Sequence, residues 1–112
     1  MKQAFTISAI ATLALAAALS SAMAGPWANH HPRRVEVNGR LRSENARIVH
    51  NYRQGNITSD EAKSLHAKVH DTRLDERADA SQHNGHISKS QQHSLNQDEN
   101  SISRQIYDTS HD

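Results

Sequence analysis

The phrase Gly55-Asn56-Ile57-Thr58-Ser59-Asp60-Glu61 returns thirty residues later as Gly85-His86-Ile87-Ser88-Lys89-Ser90-Gln91, and no other feature limits the fold so tightly. Each copy holds a glycine where a helix can end, then an isoleucine, then a hydroxyl residue with Glu or Gln three positions on. The hydroxyl–x–x–Glu/Gln spacing is a capping box: the hydroxyl accepts from a free backbone N–H of the new helix, and the longer side chain reaches back to another. Asp60 and Glu61 also suit the positive end of a helix dipole. Around the two phrases, Arg47 matches Arg77 and Ser64-Leu65 matches Ser94-Leu95, so the text is an internal repeat with a period of 30 residues.

Apolar spacing supplies the helices between the turns. Val35, Leu41, Ile48, Val49 and Tyr52 recur at helical intervals after Pro32, which predicts a helix to about Arg53. Gly39 weakens its beginning by about 1 kcal/mol relative to Ala. Ala62, Leu65 and Val69 mark a second helix over about Ser59 to Ser81, and Leu95, Ile102 and Ile106 a third from Lys89 to about Tyr107. The expected fold is all-α: a three-helix up-down-up array built from two overlapping 30-residue helix-loop-helix repeats that share the middle helix.

The N-terminus carries a different signal. Met1-Lys2-Gln3 is a short basic start, Ala4 to Leu19 is mostly apolar, and Ala22-Met23-Ala24 is a small-x-small site. This order predicts a signal peptide over residues 1–24, a flexible leader over 25–31 and a single helical domain over 32–112. The apolar run is too short for a membrane span and is interrupted by Thr6, Ser8 and Thr12, so no span is expected after its removal. The predicted location is the periplasm or the extracellular medium.

Residues 25–112 hold twelve basic and twelve acidic side chains, no cysteine, all nine histidines, and only thirteen Val, Ile and Leu. So few aliphatic residues imply a thin core. Charge balance argues against a nucleic-acid partner, which selects a basic face. The missing cysteine excludes disulfides and thiolate metal sites.

Three chemistries can be weighed. The repeated turn resembles the second half of an EF-hand loop, but its oxygen positions would be His50, Tyr52, Gln54, Thr58 and Glu61, then Ala80, Gln82, Asn84, Ser88 and Gln91. One carboxylate in the first and none in the second is too few for calcium, so the loops read as hairpin connectors. Histidine offers a transition-metal reading: His66 and His70 stand four apart on the middle helix, and His83 and His86 three apart in the second loop. Imidazoles so spaced can share Zn, Cu or Ni, although the repeat does not preserve them. Catalysis has least support. His66 or His70 beside Asp71 or Asp75 supplies no nucleophile or phosphate loop, and a small helical array offers little concavity. Glu44, Arg47, Asp71, Asp75, Glu76, Arg77 and Asp79 are expected as solvated pairs at i,i+3 and i,i+4.

His31-Pro32-Arg33-Arg34-x-Glu36-Val37-Asn38, Gly85-His86-Ile87-Ser88-Lys89, Leu95-Asn96 and Ser103-Arg104-Gln105-Ile106 resemble a family of short exported proteobacterial proteins. The resemblance covers nearly all of the chain from His31 onward. It implies an all-helical, exported protein and brings no activity, cofactor or catalytic residue. The leading expectation is a non-enzymatic accessory factor that meets an envelope or extracellular protein through its polar helix faces. A transition-metal binder using His66, His70, His83 and His86 is the alternative.

Overall fold

The computed structural model describes residues 25–112, all helix and connector. The expected signal peptide lies outside the described residues. Four helices pack together: α1 (Gly25–His30), α2 (Pro32–Arg53), α3 (Ser59–Ser81) and α4 (Lys89–Ser110). The three long ones begin where the sequence predicts, and α4 continues three residues past Tyr107.

Both capping boxes form. Glu61 N donates to Thr58 Oγ1 (3.1 Å) while Thr58 N donates to Glu61 Oε1 (2.7 Å). In the second, Gln91 N donates to Ser88 Oγ (3.0 Å) and Ser88 N to Gln91 Oε1 (2.8 Å). These bonds fix where α3 and α4 start. Pro32 opens α2, where its missing N–H leaves no gap.

α2, α3 and α4 each touch the other two to a similar extent, so they enclose one core. Val37, Leu41, Ile48, Val49 and Tyr52 from α2 meet Ala62, Leu65, Val69 and Ala80 from α3 and Leu95, Ile102 and Ile106 from α4. Ile57 and Ile87 close its two ends. A ladder of polar contacts sets the direction of α4 against α2: Gln92 Nε2 donates to Glu36 Oε1 (2.7 Å), Arg40 to Asn96 O (3.5 Å) and to Asn100 Oδ1, and Arg47 to Ser103 Oγ (3.3 Å). Residue numbers climb together along this ladder, so α2 and α4 run in parallel.

Residues 27–34 make contacts with one another and with the connector 82–88. His31 Nδ1 donates to Trp27 O (2.9 Å), the two rings stack at 4.4 Å, and His31 stacks in turn on His86 at 4.5 Å. The Arg34 guanidinium lies 5.0 Å from the Trp27 ring centre. Arg33 donates to Ile87 O (3.4 Å) and Arg34 to Gly85 O (3.1 Å). The His-Pro-Arg-Arg phrase thus closes over the Gly-His-Ile-Ser loop.

Candidate functional site

Each long helix places a glutamate in the core. Glu44 of α2, Glu76 of α3 and Glu99 of α4 are all at most 1 % exposed. This corrects the expectation of solvated pairs for Glu44 and Glu76; Glu99 was not singled out at all. The signal was present in the spacing. Leu41-x-x-Glu44 and Glu44-x-x-x-Ile48, Thr72-x-x-x-Glu76-x-x-x-Ala80, and Leu95-x-x-x-Glu99-x-x-Ile102 put each acid in the register of its apolar stripe.

The three environments differ. Arg34 Nε donates to Glu76 Oε2 at 2.8 Å, an ion pair in which the acid is 1 % exposed. Glu44 accepts from Ser103 Oγ at 2.7 Å and has Arg40 Nε at 3.8 Å. Its pKa is nonetheless raised, because burial outweighs the Ser103 bond and the Arg40 and Arg47 charges. Both oxygens of Glu99 lack a hydrogen-bond partner. Burial first, then the neighbouring Glu44 charge, pushes its pKa up to about 8, against the opposing pull of Arg40. Glu99 is therefore protonated at neutral pH, which avoids the large cost of an unpaired buried anion.

α3 is electrically two-sided. His66, His70, Arg73 and Arg77 follow one another at intervals of four, three and four residues, so they share one flank. Burial, followed by the charges of Glu76, Arg77, Arg42 of α2 and Glu99 of α4, acts on Arg73, whose pKa is lowered from its ordinary value. On the opposite flank, Asp71 and Asp75 line a groove of about 250 Å³ against α4, with Asp98, Ser101, Ile102 and Gln105 across from them and Lys68 and Thr72 on their own helix.

The histidines of the metal reading fall in two places. His66 is half-buried and His70 exposed on the basic flank of α3. Neither ring nitrogen of His66 has a hydrogen-bond partner, and burial followed by the His70 charge holds its pKa below the ordinary 6.5. His83 and His86 are exposed in the connector 82–88. Eleven residues of helix, roughly 16 Å, already separate His70 from Ser81 before that connector begins. The structure brings His66 to His70 but brings neither to His83 or His86. Among the described residues no group of three or more His, Asp or Glu is placed to hold a metal ion. No described helix is long and apolar enough to cross a membrane.

Compared with known proteins, the chain matches no family model, no curated protein and no solved structure.

Proposed function

We propose that this chain is an exported, non-enzymatic helical accessory protein that docks an envelope or extracellular protein through a polar helix face. Its two connectors and their 30-residue spacing are read as overlapping helix-loop-helix repeats, with EF-hand-like turns that act as corners and not as calcium sites. The resemblance of its His-Pro-Arg-Arg and Gly-His-Ile-Ser phrases to short exported proteobacterial proteins supports the same reading.

The observation that carries it is the α3–α4 groove. Asp71, Asp75 and Asp98 line it with a single cation, Lys68, and Ile102 is its one apolar side chain among Thr72, Ser101 and Gln105. Three carboxylates against one lysine favour a partner segment that carries Lys or Arg, because charge complementarity steers and orients docking. Crosslinking followed by capture from an envelope fraction should recover one dominant partner, and Asp71→Asn with Asp75→Asn should abolish the capture. Equal capture by the double variant would remove the groove from the reading.

The unpartnered ring of His66 with His70 one turn away favours a second reading, a Zn, Cu or Ni binder. Two ligands from one helix need others to complete a site, and with His83 and His86 at the far end of α3 a second molecule would have to supply them. Calorimetric titration with each metal should then give a stoichiometric site that His66→Ala and His70→Ala remove. Heat indistinguishable from dilution would exclude it.

A further inference from the structure

The repeat gives the fold two corners, and one of them shows what such a corner holds. At the connector 82–88, Arg33 Nη1 donates to Ile87 O (3.4 Å) and Arg34 Nη1 to Gly85 O (3.1 Å). Those carbonyls are open to a side-chain donor because they lie between two helices and belong to neither ladder.

The connector 54–58 follows a different path but leaves the matching carbonyls outside its helices too. Gly55 O and Ile57 O accept no hydrogen bond from the described residues. Where the second corner has neutral Gln91, the first has Glu61. Its Oε1 accepts from Thr58 N in the capping box (2.7 Å), and its Oε2 accepts nothing among the described residues. The corner that no arginine of the leader reaches thus carries a carboxylate that the other lacks.

A recess of about 370 Å³ opens at this corner, with Tyr52, Arg53, Gly55, Ile57 and Glu61 in its wall. That volume lies in the range of small-molecule sites. Tyr52 and Ile57 are buried and supply apolar surface. Arg53 and Glu61 line the same recess, yet among the described residues neither forms an ion pair with the other or with a third group. Two opposite charges that share a small recess without closing on each other suit a ligand with opposite charges at its ends.

We propose that the recess at the connector 54–58 binds arginine, either as the free amino acid or as the C-terminal residue of a peptide. The guanidinium goes to Glu61 Oε2 and to the carbonyls of Gly55 and Ile57, the acceptor type that Arg33 and Arg34 use at the second corner. A planar fork of donors meets several oxygens at once, which a compact ammonium does less well. The aliphatic stem lies along Tyr52 and Ile57, and the carboxylate pairs with Arg53. No residue of the α3–α4 groove takes part.

The test is NMR of the purified protein, following backbone amides while L-arginine is added at constant pH and ionic strength. Saturable shifts confined to residues 52–61, with a Kd below about 1 mM, support the site. Citrulline keeps the carboxylate without the cation, and agmatine keeps the guanidinium without the carboxylate; each should bind weaker by about fivefold or more. A parallel arm uses Gly-Gly-Arg: tighter binding than arginine assigns the peptide terminus, and equal or weaker binding assigns the free amino acid. Glu61→Gln keeps the capping box, as Gln91 does in the second copy, and should weaken arginine by about fivefold or more, whereas Asp75→Asn in the groove should not. Arg53→Gln should erase the preference for arginine over agmatine. Shifts that do not saturate, that lysine reproduces with the same Kd, or that Asp75→Asn weakens as much as Glu61→Gln would overturn the site, as would a preference over agmatine that survives Arg53→Gln. Loss of partner capture by the groove variants bears on α3–α4 alone and leaves this outcome unaffected.

Discussion

The two connectors start from nearly the same words and end in different structures. In residues 54–58, Gly55 (φ 78°) takes the left-handed position that closes α2: its N–H donates to Tyr52 O and that of Asn56 to Asn51 O. In residues 82–88, Asn84 (φ 55°) takes that place, and Gly85 (φ 91°) follows it, its N–H donating to Ala80 O. The glycine has moved one step along, and its carbonyl now accepts from Arg34. One loop carries the Trp27–His31–His86 stack and two arginine bonds; the other borders a recess lined by Tyr52, Arg53, Ile57 and Glu61. The capping boxes are equivalent because each is made within four residues. What lies over each loop is decided by which end of the bundle the leader reaches.

Arg34→Ala should break this difference with the largest effect. It removes the bond to Gly85 and leaves Glu76 buried without its cation, a loss of about 3–5 kcal/mol. Hydrogen exchange should accelerate in 82–88 well before 54–58; equal acceleration would mean that the leader does not distinguish them.

Glu99→Gln is the control that belongs to neither loop. Because the folded pKa of Glu99, about 8, lies above its ordinary 4.5, the folded chain holds a proton there that the unfolded chain releases between those values. Its contribution is complete below about 4.5, declines as pH rises, and is lost above about 8. Glu44 acts in the same direction, whereas His66, held below 6.5, destabilises the fold as pH falls through that value. Denaturant titrations of Glu99→Gln at pH 9 should show a gain of about 1–4 kcal/mol over the parent chain and a flatter alkaline limb. An unchanged limb would place the alkaline loss elsewhere.

Ile57→Ala and Ile87→Ala test the loops as plugs. Each should cost about 2–4 kcal/mol, since both side chains are at most 5 % exposed. A much smaller loss at Ile87 would show that the arginine bonds hold the second loop without its plug.

The smallest effect is expected from the glycines. Gly55→Ala should cost about 1 kcal/mol for the left-handed backbone alone. Gly85→Ala should cost more, because its φ of 91° lies further from what a side chain tolerates than the 78° of Gly55, while the new Cβ would only touch His31 Nε2 at 3.5 Å. Thermal melts of the pair rank them directly, and the reverse order would mean that backbone conformation does not set the difference.

Helix starts were legible in the sequence because a cap is a contact between residues three apart. The apolar members of the core were legible for a similar reason, since helical period alone assigns them to one stripe. Glu44, Glu76 and Glu99 occupy the same stripe, yet residue type argued for water and carried more weight than position. The sequence also isolated His66 and His70 as a pair. It contained as well the spacing that puts Arg73 and Arg77 on their flank.

By itself, then, the chain's text determined three helices, their capped starts and the isoleucines at their corners, all through interactions within one or two turns. Tertiary structure alone decided that Arg34 would serve Glu76 and that both oxygens of Glu99 would be buried without a hydrogen-bond partner. Those outcomes depend on distances between residues about thirty to sixty positions apart. Such distances are fixed only when the helices choose their rotation about a shared core, and in a chain with so few aliphatic residues that choice carries glutamates inward as well.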